Sequence, residues 1–446
     1  MRREQTSIPD FSAVRGRRIL IALSGGADSV ALAVMLAEAR EAYALTLFAA
    51  HVDHGIRPES AEDAAFCRDL CGRLEIPFFC ERVDVPVEAS RNQCGLETAA
   101  RNCRFTSLMR ILDETRSDFI ALAHHMDDQA ETVLMHLARG AGVEGVRGMR
   151  TLTGNSRLYR PLLNWRKADL TEFLRKRSFS WREDATNRIA DNPRNGLRLN
   201  VIPEIEKWYP QFVPAVARFA RTAQIESDLL DALTADYLSA ASSARQRCAW
   251  LSLDPLPHPA ILRRAIRALC PEVLGWEQIN ALEALCARSR GKLDLGASVF
   301  AERTGRRLYF VRKRPLAIEP VALSLRGETY LAPLGTITAS PCPPVPVMDD
   351  PFRQVLNAQV LNGAVLRTRR EGDRIRPLGG GDKLLSDFFI DKKVDRPLRD
   401  ATPLVAVANR VHWVIGHAIS QEAAIKPGED AVMLKYKDQF TTEERP

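Results

Sequence analysis

A glycine-containing loop near the amino terminus carries residue types that bind phosphate. It lies between a short apolar run at 19–23 and an amphipathic run, and its six residues are Ser24, Gly25, Gly26, Ala27, Asp28 and Ser29. Adjacent glycines let backbone N–H groups approach an anion, and the start of a following helix adds a favourable dipole. Asp28 can hold a magnesium ion that bridges phosphates. A lone Gly-Gly pair would more often be an ordinary capped turn. The complete loop, which lacks the ending of a Walker motif, predicts a phosphate site.

Three carboxylates lie at the start of a second predicted helix. Asp127 and Asp128 fall in its first turn, and Glu131 follows one turn later on the same face. Carboxylates spaced in this way can bind an ammonium group or a metal ion. Helix capping and a solvated helix face are the alternative roles, and the spacing does not choose between them.

The elements that must position these residues are predicted from hydrophobic periodicity. Between residues 18 and 139, short apolar runs alternate with longer amphipathic runs, which is typical of an α/β fold with a parallel sheet wound with helices. The predicted strands are Ile19–Leu23, Leu45–Val52, Phe78–Val85 and Phe119–His124, and the predicted helices start near Ser29, Glu59, Gly95 and Asp127. Polar clusters at 24–29, 51–57 and 124–131 each follow a predicted strand. Because ligands of such sheets bind beyond the carboxyl ends of the strands, we expect the three clusters to share one crevice.

Four segments are predicted along the chain: a catalytic α/β domain at 1–215, a mostly helical domain at 216–337, a proline-rich linker at 338–351 and a small α+β domain at 352–446. The predicted helices after the first sheet are Lys167–Lys176, Phe212–Ser243, Ile261–Leu269 and Ile279–Cys286. Strand-like runs are found at Leu293–Val311, Val365–Thr368, Leu404–Val407 and Val411–Ile415. Within the linker, we expect Ser340–Pro346 to break regular structure.

Composition sets broader limits on the function. A formal net charge of +7 over 446 residues permits a polyanionic partner, although a basic surface without such a partner explains it equally well. The nine cysteines contain no Cys-x-x-Cys pair, which argues against a disulfide framework, a zinc ribbon or an iron–sulfur cluster. No apolar run suits a signal peptide or a membrane span. The sequence therefore predicts a cytoplasmic protein without a membrane partner.

Several motifs, in the same order, resemble those of one enzyme family. Besides the phosphate loop, they are His51–Gly55, Ala123–Thr132, Leu158–Leu163, Trp181–Asn187 and Arg194–Arg198. The loop by itself resembles the pyrophosphatase loop of the ATP-pyrophosphatase (PP-loop) superfamily, which implies an adenine-nucleotide α-hydrolase-like fold. The complete set resembles tRNA(Ile)-lysidine synthetases from about Arg18 to Pro210, and weaker matches extend the resemblance over most of the chain.

The resemblance implies a ligase that forms a carbon–nitrogen bond. Enzymes of this family join free L-lysine to C2 of the wobble cytidine of the isoleucine tRNA whose anticodon is CAU. They act through an adenylated tRNA and release AMP and pyrophosphate. The implied cofactors are ATP, in the loop of residues 24–29, and Mg²⁺, on Asp28. The implied partners are this tRNA and lysine, with the middle region orienting the tRNA and the last domain gripping its acceptor stem.

The same resemblance assigns roles to individual residues. The expected catalytic residues are Asp28, Arg101, Asp128 and Glu131, and the expected substrate-binding residues are Asp127, Asp128, Glu131, Arg194 and Arg198. Arg101 matches a family arginine beside the α-phosphate and the base; an exposed helix arginine is its alternative role. Which carboxylate binds lysine and which binds metal stays open. The oligomeric state also stays open, with a homodimer as one option.

The sequence departs from the family pattern at a few positions. Thr186 stands where serine is common, Ala141 where a hydroxylated residue is usual, and Asp53 where asparagine is frequent. These changes are conservative. In Lys383–Phe389 the family pattern leads us to expect additional basic residues, so phosphate contacts in the last domain would be weaker or placed differently.

Three other functions are compatible with parts of the sequence. Related PP-loop enzymes thiolate tRNA, aminate nucleotides or make NAD, but thiolation generally needs a cysteine pair or a cluster, and Cys67 and Cys71 suit packing better. A metal-dependent phosphohydrolase would use the histidines and aspartates at strand ends, His51, Asp53, His54, His124, His125, Asp127 and Asp128. Such a phosphohydrolase would not need the phosphate loop at residues 24–29. A tRNA-binding protein without catalysis would not need the complete set of catalytic residues.

Overall fold

The structure is a computed structural model. It describes residues 8–55, 60–153, 156–182, 192–245, 248–296, 298–313, 318–332, 334–346 and 350–438. The chain divides into two compact units, residues 1–228 and 229–446. Parts of the predicted motifs lie outside the described residues, namely 56–59 and 183–191.

The first unit is built on a six-stranded sheet with the strand order β3-β2-β1-β4-β6-β5. All its pairings are parallel except that of β5 with β6. The strands are β1 Arg18–Ala22, β2 Thr46–Asp53, β3 Phe78–Arg82, β4 Phe119–Ala121, β5 Leu152–Thr153 and β6 Leu158–Tyr159. The predicted parallel sheet is confirmed. The third strand ends earlier than predicted because the side chain of Asp84 accepts a hydrogen bond from the Val87 amide and caps a helix that starts at Val85.

Helices cover this sheet and extend beyond it. They are α1 Ala27–Ala39, α2 Ser60–Arg73, α3 Val85–Arg91, α4 Leu96–Glu114, α5 Met126–Ala138, α6 Val143–Val146, α7 Lys167–Lys176, α8 Pro193–Gly196 and α9 Ile202–Trp208. A π-helical turn at Leu197–Val201 joins α8 to α9. One core contains α1, which is apolar and almost entirely buried. On a second core, Leu108, Ile111 and Leu112 of α4 pack against Leu20 and Ile120 of the strands.

Helix α10, Phe212–Ala241, agrees closely with its prediction. In the second unit, the predicted helices appear as α11 Pro259–Leu269 and α12 Trp276–Cys286. They pack on a five-stranded antiparallel sheet of order β7-β8-β11-β10-β9. Its strands are β7 Ser242–Arg245, β8 Cys248–Ser252, β9 Arg290–Asp294, β10 Val299–Thr304 and β11 Arg307–Arg312. The alternation at 293–311 accounts for β10, for β11 and for the end of β9, whereas β7, β8 and the start of β9 add strand content that the sequence does not predict.

Part of the predicted linker is a strand of a sheet. A four-stranded sheet of order β13-β14-β22-β15 consists of β13 Gly327–Leu331, β14 Gly335–Cys342, β15 Arg353–Asn357 and β22 Ala431–Asp438. Strand β14 runs through Ser340, Pro341 and Cys342, so the expected break there is wrong for these three residues. Beyond Ala339 the strand pairs with β22 alone, and an open strand edge tolerates a proline that lacks an N–H. Residues 347–349 lie outside the described ranges.

A seven-stranded sheet completes the carboxyl-terminal part, with the order β12-β16-β19-β20-β17-β18 and β21 beside β20. The strands are β12 Val321–Ala322, β16 Val365–Arg367, β17 Arg374–Ile375, β18 Lys383–Leu384, β19 Leu404–Val407, β20 Arg410–Val414 and β21 Ala418–Ile419. Two short helices, α13 Leu385–Asp391 and α14 Arg396–Arg399, accompany them. The three strand-like runs predicted here are confirmed. A buried ion pair joins Arg367 to Asp373 at 2.8 Å.

Candidate active site

The phosphate loop connects β1 to α1 in a fixed conformation. Gly25 has a φ of +84°, which side chains rarely adopt, and a Cβ there would lie 3.4 Å from the Cys67 sulfur. The Ser29 hydroxyl accepts a hydrogen bond from the Ser24 amide at 3.2 Å and donates one to the Gly26 carbonyl at 3.0 Å. The loop is therefore shaped by its own hydrogen bonds before any ligand binds.

Arg182 ties this loop to a neighbouring helix. Its amide donates to the Gly25 carbonyl at 2.9 Å. Its guanidinium donates to Asp63 and Glu62 of α2, both at 2.8 Å. Arg182 belongs to the predicted Trp181–Asn187 motif, of which Glu183 to Asn187, including Thr186, lie outside the described residues.

Asp28 lies in the first turn of α1 with one carboxylate oxygen unsatisfied. Its Oδ1 atom is buried and has no hydrogen-bond partner among the described residues. Its Oδ2 atom lies 3.6 Å from Nε2 of His125 and 3.9 Å from the Lys167 ammonium. A buried anionic oxygen without a donor suits a hard cation such as Mg²⁺. Within the described ranges, no group of three or more His, Cys, Asp or Glu is arranged to hold a metal ion.

His125 links the phosphate loop to the start of α5. Its ring is 2% exposed, and its nitrogens lie 3.5 Å from Asp127 and 3.4 Å from Asp128. Burial lowers the pKa of His125, but hydrogen bonds to Asp127 and Asp28 and the charge of Asp128 outweigh it and raise the pKa to about 9. The ring is therefore an imidazolium at neutral pH. Its Nδ1 then donates toward Asp127 instead of accepting from the Asp128 amide, 3.4 Å away.

Asp127 is engaged by the start of α7. Its two oxygens accept hydrogen bonds from the Arg166 side chain at 3.0 Å and from the Lys167 amide at 2.9 Å. Burial raises the pKa of Asp127, and the hydrogen bonds from His125, Lys167 and Arg166 more than reverse this effect, so the carboxyl group remains ionised. The structure thus places Asp127 in a helix–helix connection and does not bring it into contact with Arg194 or Arg198.

Asp128 and Glu131 form what we call the paired cluster with Arg194 and Arg198. Glu131 is fully buried and accepts hydrogen bonds from Nε of Arg198 at 2.6 Å and Nε of Arg194 at 2.7 Å. Asp128 accepts from the same two arginines at 3.1 and 3.4 Å. Two carboxylates thus neutralise two guanidiniums. These two carboxylates, both expected to bind substrate, thus already bind cations of the protein itself.

Arg101, Arg104 and Arg160 form a second group, the cationic cluster. Arg101 and Arg104 are one turn apart on α4, and both guanidiniums lie near the Phe105 ring, at 5.4 and 5.8 Å. Arg160 directly follows β6 and donates to the Arg150 carbonyl at 3.1 Å. Burial lowers the pKa of Arg104 and of Arg160, and the charge of Arg101 lowers both further.

His124 adjoins both clusters. Burial lowers the pKa of His124 to about 4; Asp128 opposes this change, whereas Arg160, Arg194 and Arg104 add to it. His124 is therefore neutral at pH 7. Arg104 is not among the site residues predicted from the sequence, although its spacing of three residues from Arg101 on a helix places both on one face.

The cysteines beside the loop are not activated. The Cys67 sulfur lies 3.6 Å from Nδ1 of His51, yet burial raises the pKa of both Cys67 and Cys71 to about 12. Thiols of such high pKa are poor nucleophiles at neutral pH. This finding weighs against a thiolating enzyme that uses this pair.

A search of the helices in the described part of the chain found none with the length and apolar character of a membrane span.

A strand–loop–helix phosphate site at the carboxyl edge of a parallel sheet defines the chain as a PP-loop protein. The family model of the PP-loop domain matches residues 2–205, and that of the TilS substrate C-terminal domain matches residues 364–436. The chain is 33% identical to the tRNA(Ile)-lysidine synthase of Symbiobacterium thermophilum, with 90% of each chain covered. It is 30% identical to that of Geobacillus kaustophilus, with 95% of this chain and 96% of the relative covered. The chain belongs to the tRNA(Ile)-lysidine synthase family.

Among solved structures, the chain is similar to a crystal structure of a TilS C-terminal domain. The two are 27% identical, and the match covers 28% of this chain and 98% of that chain with a TM-score of 0.25. The family membership identifies the protein as an enzyme with a PP-loop ATP-binding domain.

Proposed function

We propose that this enzyme joins free L-lysine to C2 of the wobble cytidine of CAU-anticodon tRNA(Ile), through an adenylated tRNA, with release of AMP and pyrophosphate. The observation that carries the proposal is the position of His125. It contacts Asp28 of the phosphate loop on one side and Asp128 of the paired cluster on the other. This contact supports the proposal, because a site for ATP cleavage and a site for a second substrate would then share one edge of the sheet.

For the first step, the phosphate loop would hold the departing pyrophosphate. Its backbone N–H groups at the start of α1 suit a phosphate anion, and Asp28 would hold Mg²⁺. The metal would stabilise charge on the phosphate oxygens when bound. Protonated His125 would keep the Asp28 carboxylate in place, because its Nε2 lies 3.6 Å from Asp28. Arg101 would lie beside the α-phosphate.

For the second step, Asp128 and Glu131 would receive the ammonium group of lysine. Because Arg194 and Arg198 already bind both carboxylates, lysine must compete with these arginines or displace them. Displaced guanidiniums would become available to the tRNA nucleotide, which agrees with their expected role. Any arginine that stays nearby would lower the pKa of the lysine amine and favour its nucleophilic form. His125 is protonated and cannot serve as the base.

The carboxyl-terminal part would contact the tRNA through a basic loop. Arg370 and Arg376 are exposed, and neither forms an ion pair within the described residues. In the Lys383–Phe389 segment, Leu385, Phe388 and Phe389 are buried in a core, which explains why basic residues are few there. We therefore assign the acceptor-stem contacts to residues 369–376. A cavity of about 720 Å³ lies beside this loop, lined in part by Arg369, Arg370 and Ser386.

The cellular setting follows from the substrate and the thiols. All nine cysteines are free, which suits a reducing compartment. We propose that the enzyme works in the cytoplasm, where tRNA is modified, with a homodimer as one option for its assembly.

Incubation with ATP, Mg²⁺, radiolabelled lysine and a tRNA(Ile) transcript tests the proposal. We expect label in this tRNA and a matching amount of AMP. A tRNA(Met) transcript with the same anticodon is the control, and replacement of lysine by arginine tests the amino acid. If folded protein labels neither tRNA, the proposed function is wrong. Incorporation of sulfur would instead favour a thiolating enzyme.

A further inference from the structure

The cationic cluster holds charge that the rest of the described structure does not balance. Nε of Arg104 and Nε of Arg160 are both buried, and neither has a hydrogen-bond partner within the described residues. In the same ranges, no carboxylate forms an ion pair with Arg101, Arg104 or Arg160. Nδ1 of His124, beside them, is also buried and without a partner there.

Such an arrangement is costly without a ligand. A guanidinium stays protonated in proteins, and the desolvation of an unpaired charge is unfavourable. Two of these arginines are half-buried, and the charge of Arg101 acts on both. An anion would remove the repulsion and satisfy the free N–H groups. A carboxylate would balance one arginine, whereas a phosphate group has the charge and the oxygen atoms for two or more.

The fold places the cluster at the carboxyl edge of the same sheet as the phosphate loop but on different elements. Helix α4 packs on the sheet through Leu108 and Ile111, and Arg104 lies close enough to His124, just beyond β4, for its charge to lower the pKa of His124. Arg160 follows β6, and β6 pairs with β4, the strand that leads to His124. We propose that Arg104, Arg160 and His124 form a second phosphate-binding site, separate from residues 24–29.

Two phosphate groups would reach this site if the proposed function, on which this inference rests, is correct. One is the α-phosphate of the nucleotide, which remains in AMP after pyrophosphate has left. The other is a backbone phosphate of the tRNA next to the wobble cytidine. In either case the forked guanidinium of Arg104 or Arg160 would bind oxygens in pairs, and neutral His124 would donate from a ring nitrogen.

Binding measurements on the full chain test the site without the complete reaction. Arg104→Gln and Arg160→Gln remove one charge each, and Arg110→Gln, on the same helix but paired with Glu81 at 2.6 Å, is the matched control. Calorimetry would measure the affinities for AMP, for inorganic pyrophosphate and for lysine. Filter binding over a salt series would measure the affinity for the tRNA(Ile) transcript.

A site for the α-phosphate predicts that both Gln variants lose about tenfold or more in AMP affinity, with pyrophosphate affinity unchanged. A site for a tRNA phosphate predicts that tRNA affinity falls and that its logarithmic salt slope decreases by about one, with AMP affinity unchanged. Either result supports the second phosphate site. If neither affinity changes, or if only lysine affinity falls, the inference is wrong.

Pyrophosphate binding also reports whether the variants are folded. If the Gln variants unfold, Arg104→Lys and Arg160→Lys replace them, because lysine keeps the charge but loses the paired hydrogen bonds. The same decrease in AMP or tRNA affinity, about tenfold, is then expected at unchanged net charge. Failure of the wild-type protein to form lysidine would overturn the proposed function. The binding measurements would still decide whether the second phosphate site exists.

Discussion

The paired cluster and the cationic cluster adjoin each other across His124, but they balance charge in opposite ways. In the paired cluster, Glu131 is buried and its oxygens accept hydrogen bonds from two arginines. In the cationic cluster, buried Nε atoms of Arg104 and Arg160 have no partner within the described residues. The charges of the first cluster are balanced within the protein, so under the proposed function a cationic substrate must exchange with its arginines. The second cluster would gain its partner when an anionic ligand binds.

The largest effect is expected at the phosphate loop. Asp28→Ala should lower tRNA- and lysine-dependent pyrophosphate release by about 100-fold or more, because it removes the proposed metal ligand. Affinity for tRNA should change little, since the described contacts of Asp28 are with His125 and Lys167. Pyrophosphate release and filter binding measure the two quantities. Full activity in this variant would exclude the metal role.

A pH effect is expected from His125, which joins the loop to the paired cluster. Its pKa of about 9 in the folded protein lies above the ordinary value of 6.5. The folded state therefore binds the proton more tightly, and this stabilisation is complete below about pH 6.5 and is lost as the pH rises through 9. The loss should amount to roughly 3 kcal/mol at most.

Urea unfolding at several pH values between 6 and 10 would measure the change in the free energy of unfolding. His125→Gln should remove most of the dependence in this range. An equal dependence in both proteins would show that the His125 proton is not responsible.

The two clusters should respond differently to the loss of one member. Glu131→Gln leaves two arginines with one carboxylate fewer, so the free energy of unfolding should fall by about 1–3 kcal/mol. Arg104→Gln removes an unbalanced charge, so stability should stay within about 0.5 kcal/mol or increase. Denaturant unfolding without ligands measures both variants. Equal losses in the two would remove the distinction between the clusters.

The smallest catalytic effect is expected at Asp127. Because its oxygens bind Arg166 and the Lys167 amide, Asp127→Asn should leave the KM for lysine within about twofold of wild type. Glu131→Gln should raise this KM by about tenfold or more, since it removes a charged partner of the ammonium. Steady-state kinetics with varied lysine compares the two. A large rise in the KM for lysine in Asp127→Asn would show that Asp127 belongs to the lysine site.

Periodicity and motif order predict the framework of the first unit well. Helix α7 has the predicted bounds, and the strand before the phosphate loop differs by one residue at each end. Such elements are predictable because their own residues determine the pattern of burial. The convergence of the phosphate loop with the start of α5 is also predictable, since carboxyl ends of parallel strands meet at one edge.

Partners that come from distant segments are harder to predict. Nothing near Asp127 in the sequence shows that the amide of Lys167 binds it. Arg104 and Arg160 have no ion-pair partner among the described residues because the fold brings no carboxylate there close enough to them. The sequence alone does not show this. Likewise, Pro341 indicates a break locally, and only the pairing of Pro341 with Val432 shows why the strand continues.

The π-helical turn between α8 and α9 has a consequence for the evolution of this site. It contains Arg198, and it separates Arg194 from Glu206, which binds Arg166 at 3.1 Å. Insertion of one residue into a helix rotates everything beyond it by about 100°. A one-residue insertion in 197–201 would therefore keep either Arg194 at Glu131 or Glu206 at Arg166, but not both. The length of this segment is thus fixed by two contacts at once, and insertions or deletions should be tolerated in surface loops but not here.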